Sequence, residues 1–218
     1  LADRLATRVF DATFNNAFAG ALCGLSPART ERALLGLTGT TRREARDTHD
    51  FFGLNYYGRF RVRARRKAKD GSFVSLDATP GAEVSDLGWE VLPEGFGHFL
   101  RTWAHLSQRP VYVTENGIAD SRDVQRASFL VRHLAQVADA IRDGVDVRGY
   151  FHWTLLDNFE WAEGYGPRFG LYDVDFDTQV RSPRPSATVF RHIATTREID
   201  GALWERHGSV PEQAWRAG

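Results

Sequence analysis

Three short apolar runs, separated from one another by helix-patterned stretches, constrain this chain more than any other feature. They are residues 51–57 (FFGLNYY), 111–115 (VYVTE) and 147–155 (VRGYFHWTL). Each is rich in β-branched or aromatic residues and too short for a buried helix, so each reads as a buried strand. Between the first two, a helix starts at Pro93 and spaces Phe96, Phe99, Leu100 and Trp103 for one face. Between the second and third, residues 121–142 carry Phe129, Leu130, Leu134, Val137 and Ile141 at the helical period, and Gly144 ends the run. Alternating strands and helices with buried strands imply a parallel sheet. Three strands cannot close an eight-stranded barrel, which typically takes about 250 residues. A three-stranded sheet with helices on one side also leaves two open edges. The chain therefore reads as a slice of a barrel.

The flanking segments fit that frame. Residues 3–19 place Leu5, Val9, Phe10, Phe14 and Phe18 on one helical face. Residues 26–50 form a polar connection, with a short helix expected near 30–35. Residues 59–88 read as an excursion of short strands and turns. Its basic run, residues 59–69, ends in the turn signal Asp70-Gly71 and suits a solvated hairpin arm better than a nucleic-acid patch. Residues 170–176 alternate as a hairpin-like strand would, and a last helix is expected over 185–199.

Composition excludes several function classes. The 28 basic and 28 acidic residues cancel, so no global charge favours nucleic acid or an anionic membrane as partner. No run of 18 apolar residues occurs, so no transmembrane helix is expected. The single cysteine, Cys23, cannot form an internal disulfide and is expected to be a small buried residue. His49, His98, His105, His133 and His152 lack paired ligand spacing, and no metal site is expected. The charged N-terminal stretch is not a signal peptide, which makes a cytoplasmic location the expectation. The chain has no initiating methionine and none elsewhere, which fits the expectation of an internal segment of a longer protein.

Polar and aromatic residues gather where each strand ends: Asn55, Tyr56 and Tyr57; Thr114, Glu115 and Asn116; His152, Trp153 and Thr154, followed by Asp157, Asn158, Glu160 and Trp161. In a β/α barrel these positions converge on one site. Carboxylates and amides can hydrogen-bond sugar hydroxyls, while the C–H faces of a pyranose stack on tryptophan. Taken one at a time, Glu115 could be an acid at a turn and Trp153 and Trp161 could be core.

The joint pattern resembles family 1 glycoside hydrolases, the β-glucosidase family. The matching blocks are DFFGLNYYGRF (50–60), LGWEVLPEGF (87–96), PVYVTENGIAD (110–120) and residues 140–187, which include DNFEW. The resemblance implies a (β/α)8 TIM barrel. Residues 1–218 would be its C-terminal portion, holding roughly strands six to eight, with residues 1–20 as the helix after strand five. It implies a retaining β-glycosidase working through a covalent intermediate. Glu115 matches the nucleophile, and Tyr57 the tyrosine whose hydroxyl contacts it. Asn55 matches a polar residue of the same subsite, Trp153 the floor of the glycone subsite, and Glu160 and Trp161 the residues that bind glycone hydroxyls. Phe169 matches an aromatic at the pocket wall. The expected partner is a β-glycoside or oligosaccharide, and no cofactor is implied.

Two departures qualify the resemblance. The family's general acid/base lies in an Asn-Glu-Pro motif after strand four, and this chain contains none. Other glycone-binding residues belong to the same absent half, which leaves glucose, galactose and fucose open. Glu90 and Glu94 are poor substitutes because they precede the helix before the second strand. Thr154 stands where the family commonly has serine. The FEW sequence implies an unphosphorylated sugar, since Glu160 would repel a 6-phosphate. The chain alone is thus expected to be inactive without an N-terminal half of the barrel. A sugar-binding protein derived from the barrel, or a fragment that covers its edges by self-association, are the competing readings. The sugar-binding reading has no need of Glu115 and Tyr57 together, and size-exclusion behaviour separates a self-associated fragment from a monomer.

Overall fold

A computed structural model describes residues 1–25, 46, 48–66 and 72–218. In chain order the elements are α1 (Ala2–Asp11), a π-helical turn (Ala12–Asn16), α2 (Ala17–Leu22), β1 (Phe52–Tyr56), β2 (Arg61–Ala64), β3 (Val74–Asp77), β4 (Glu83–Val84), α3 (Pro93–Ser107), β5 (Val111–Asn116), α4 (Arg126–Arg142), β6 (Val147–His152), a 3-10 turn (Trp161–Glu163), β7 (Tyr172–Val174), β8 (Arg181–Pro183), α5 (Pro185–Thr196), α6 (Gly201–His207) and β9 (Trp215–Arg216). Strands β1, β5 and β6 form a parallel sheet in the order β1-β5-β6. No closed barrel is formed among the described residues.

The helices cover one face of this sheet, because alternate residues of each strand are apolar. Phe52, Leu54 and Tyr56 of β1 and Val111 and Val113 of β5 pack with Phe96, Leu100 and Trp103 of α3 and Val137 and Ala140 of α4. Cys23 lies in the same cluster and is buried. Trp103 stacks on Phe52 with ring centroids 5.2 Å apart. The opposite face is open: Phe51 is 51% exposed and Phe151 58%. Burying two such rings stabilises by roughly 1.5–3 kcal/mol each, so an open face of this kind calls for a cover.

Several boundaries differ from the sequence reading for identifiable reasons. The helix expected from residue 121 starts at Arg126. Asp120 Oδ2 accepts the backbone N–H groups of Gln125 (2.7 Å) and Arg126 (2.9 Å), so Asp120 serves the helix start from outside it. The last helix stops at Thr196 because Arg197 turns left-handed (φ 60°), and α6, unread in the sequence, follows with Asp200 as its N-cap. Tyr172–Val174 is a shorter strand than 170–176, and it pairs with β8 as a hairpin. The third core strand ends at His152 rather than 155. The arm within the basic run is confirmed as β2, antiparallel to β3. The turn at Asp70-Gly71 and the helix expected near 30–35 lie outside the described residues. The apolar face of residues 3–19 is not covered: Leu5, Phe14 and Phe18 are exposed.

His133 is fully buried in α4, its ring stacked on Phe129 at 3.8 Å and its Nδ1 bonded to the Phe129 carbonyl (2.8 Å). Burial pushes its imidazole down to about 3. The unfolded chain binds a proton here below its ordinary pKa of about 6.5, whereas the folded chain does not. Stability is therefore whole above pH 6.5 and declines as the pH falls toward 3. At pH 5, where most carboxylates are still ionised, His133 alone accounts for a loss of about 2 kcal/mol. Urea unfolding at pH 7 and pH 5 checks this, with His133→Phe expected to shrink the difference by that amount.

Candidate active site

The open face and the C-terminal ends of the three strands carry the polar residues. In strict alternation Glu115 would share the helix face with Val111 and Val113. It does not, because the pairing of β1 with β5 shifts between Leu54 and Asn55: Leu54 pairs with Val113, and Asn55 pairs with Glu115. Thr114 is the extra residue of this bulge. A bulge re-aims the side chains that follow it. Here it leaves Thr114 exposed, lets Glu115 face the open side and sends Asn116 into the core. On β1, alternation carries Tyr57 to the open side without help.

The result is a direct contact. The Tyr57 hydroxyl donates to Glu115 Oε2 at 2.8 Å. Burial, this hydrogen bond and the charges of Glu115 and Glu160 push the Tyr57 phenol well above its ordinary range, so it remains a proton donor. Beside it, Thr114 Oγ1 donates to Asn55 Oδ1 at 2.6 Å. Phe169 is buried and meets Tyr57 edge-on at 6.0 Å. Trp89 completes an aromatic wall, 5.8 Å from Tyr57 and 6.2 Å from Phe169. The sequence reading gave Trp89 no role, and no local signal would have supplied one.

Trp153 follows β6 and its backbone N–H donates to the Asn116 carbonyl (2.9 Å). The peptide bond between Trp153 and Thr154 is cis. Gly117 makes this approach possible, because a Cβ there would strike the Trp153 carbonyl. Trp153 Nε1 donates to Glu160, 3.2 Å from Oε1 and 3.4 Å from Oε2. Burial raises the Glu160 carboxyl above its ordinary range; the Trp153 hydrogen bond opposes this, and the charges of Asp157 and Glu115 add to it. Trp161, next in sequence, is 78% exposed and stands apart from these contacts.

The segment between Trp153 and Phe169 is held from behind. Asp157 Oδ1 accepts from the Gly170 N–H (2.8 Å) and from Arg184 Nη1 (3.1 Å), while Oδ2 accepts from Arg184 Nη2 (2.8 Å). Arg184 Nη1 also donates to the Gly170 carbonyl (2.6 Å). The backbone adds Thr154 N–H to Phe169 carbonyl (3.3 Å) and Leu171 N–H to Thr154 carbonyl (2.9 Å). None of this was legible in the sequence, where Asp157 was only one more loop carboxylate. Glu90 is spoken for elsewhere: it pairs with Arg59 and accepts the Thr79 N–H (2.8 Å). Glu94, expected to precede this helix, lies instead in the first turn of α3, because the helix starts at Pro93. Among the described residues no group of three or more His, Cys, Asp or Glu side chains could hold a metal ion.

Comparison with known proteins gives the family. The family model described as Glycosyl hydrolase family 1 matches residues 10–199. A protein named β-galactosidase from Saccharolobus solfataricus is 44% identical over 173 residues, covering 74% of this chain and 34% of its own. β-Glucosidase A of Thermotoga maritima is 39% identical over 168 residues, covering 72% and 37%. The solved structure of a β-glycosidase from Pyrococcus horikoshii superposes with a TM-score of 0.78 at 38% identity, over 98% of this chain and 48% of that one. The chain thus spans about a third of the length of the curated relatives it matches. By the match over residues 10–199, and by the likeness of sequence and fold that runs with it, this chain belongs to glycosyl hydrolase family 1.

Proposed function

We propose that residues 1–218 are the C-terminal portion of a (β/α)8 retaining β-glycosidase, contributing roughly strands six to eight, and that Glu115 is its nucleophile. The observation that carries this reading is the Tyr57 hydroxyl on Glu115 Oε2, at the C-terminal ends of adjacent parallel strands. In the first step the Glu115 carboxylate attacks the anomeric carbon, the glycosidic C–O bond breaks, and the leaving oxygen takes a proton from a second carboxylic acid. In the second step water attacks the glycosyl ester, giving its proton to that same second group, and Glu115 leaves as carboxylate. Tyr57 holds the attacking oxygen by its hydrogen bond. Trp153 offers an apolar face to the pyranose, Glu160 and Trp161 take glycone hydroxyls, Asn55 lines the same subsite and Phe169 stands at its wall. The substrates are unphosphorylated β-D-glycosides, in keeping with relatives named β-galactosidase and β-glucosidase.

The second carboxyl has to lie about 5–5.5 Å from the nucleophile in a retaining site. Glu160, whose carboxyl feels the charge of Glu115, is bonded to Trp153, and Glu90 is paired with Arg59. An N-terminal half of the barrel supplies the acid/base in this reading, and it also covers the open face that exposes Phe51 and Phe151. The test is hydrolysis of an aryl β-glucoside by the 218 residues alone and together with an N-terminal half taken from a family relative. Turnover is expected only from the combination. Efficient turnover by the chain alone overturns the proposal.

A further inference from the structure

The chemistry above gives Asn116 no task, yet its side chain is fully buried and both ends of its amide are used. Nδ2 donates to the Tyr56 carbonyl at 2.6 Å, and Oδ1 accepts from the Tyr150 hydroxyl at 2.7 Å. Burial raises the Tyr150 phenol, which keeps it a donor. Tyr56, Asn116 and Tyr150 stand on β1, β5 and β6, so one amide ties all three parallel strands. The carbonyl it holds belongs to the residue before Tyr57, and the amide itself to the residue after Glu115. Asn116 therefore fixes the backbone on both sides of the Tyr57–Glu115 hydrogen bond.

The bulge gives this tie its importance. A strand register can slip by one residue, and every side chain then changes face. Such a slip at the end of β5 would return Glu115 to the helix side. With Asn116 bonded to β1 and β6 at once, the slipped register would strand a carbonyl, a hydroxyl and an amide in the core. We propose that Asn116, with Tyr150 as its partner, is a positioning residue for Glu115: it locks the bulge that turns the carboxylate onto the Tyr57 hydroxyl. The proposal rests on the reading of Glu115 as nucleophile, but its geometric part can be measured without turnover.

The test uses the full-length protein with ¹³C at tyrosine Cζ, the Tyr57 signal being assigned through Tyr57→Phe. Two variants are compared with the parent: Asn116→Leu, which removes both hydrogen bonds, and the milder Tyr150→Phe, which removes one. In the parent, Tyr57 resists ionisation beyond the ordinary tyrosine value of about 10. In both variants its titration is expected to drop by at least about one pH unit. Turnover of a β-glycoside is expected to show kcat down about tenfold or more and KM within about twofold, the mark of an interaction made in the transition state. Folded variants, judged by a cooperative melt, in which Tyr57 titrates as in the parent overturn the proposal. Should Asn116→Leu fail to fold, Tyr150→Phe decides. Should the titration move while Glu115→Ala keeps full turnover, the positioning stands and the nucleophile assignment falls.

Discussion

Replacing Glu115 with alanine in the complete barrel is expected to lower turnover of β-glycosides by on the order of 10⁵-fold, the scale seen when a covalent nucleophile is removed. Tyr57 would then have no carboxylate to hold, and no group on β1, β5 or β6 among the described residues replaces it at 2.8 Å. The fold should survive, because Glu115 is only partly buried and its carboxylate bonds the Tyr57 hydroxyl at the open end of the sheet rather than a group of the core. A small anion such as azide should restore part of the reaction by attacking from the vacated side, giving the α-glycosyl azide. The measurement is steady-state hydrolysis with and without azide, together with the anomeric configuration of the product by NMR. A loss of less than tenfold, with retained configuration, would move the nucleophile elsewhere.

The largest expected effect on stability lies in the pair behind the site. Arg184→Met leaves Asp157, whose side chain is fully shielded from solvent, without the guanidinium that holds both its oxygens. Removing one partner of a buried ion pair costs about 3–5 kcal/mol, because the remaining charge stays desolvated. Burial pushes the Asp157 carboxyl up, but the Arg184 hydrogen bonds, the Gly170 N–H and the charges of Arg184 and Arg168 outweigh it, so the net direction is down. The pair's contribution is thus present above the ordinary aspartate pKa and lost as the pH falls below it through the folded value. Arg184→Met should shrink that acid-side loss, the Gly170 N–H and Arg168 remaining, as well as lower stability at neutral pH. Urea unfolding of Arg184→Met, Asp157→Leu and the double variant separates the interaction from its parts. The double variant should be less damaged than the two single variants combined. Independent, additive losses would show that the pair does not act as a unit.

The sequence revealed what repeats and what is chemically distinctive. The β1, β5 and β6 runs declare themselves by apolar content and length, and Pro93 and Gly144 bracket their helices. TENG (114–117) and DNFEW (157–161) are the two blocks that carry the family resemblance. What escaped reading was set by contacts distant in sequence. Alternation alone would have put Glu115 on the helix face; the Thr114 bulge that prevents this is a property of pairing with β1. Asn116 reads as one more polar residue at a strand end, although its amide is consumed by Tyr56 and Tyr150. Trp89 shows no periodicity with Tyr57 and Phe169, and Arg184 lies 27 positions from Asp157. The helix expected from residue 121 starts only at Arg126 because Asp120, five and six positions ahead, accepts the N–H groups of Gln125 and Arg126 from outside it. Residues 3–19 mislead in the opposite sense: their pattern predicts a buried face, whereas Phe14 and Phe18 are exposed.

In the proposed mechanism a glycosyl ester forms on Glu115. This step is tested most directly by trapping that ester. A 2-deoxy-2-fluoroglucoside with a good leaving group slows both steps but deglycosylation more, so the covalent species should accumulate in the complete enzyme. Peptide mass mapping after proteolysis then locates the sugar. The expected result is one fluoroglycosyl group per chain, on the peptide that contains Thr114, Glu115 and Asn116, and none when Glu115 is replaced by alanine. A sugar carried by any other residue, or steady turnover with no covalent species under the same conditions, would contradict the assignment.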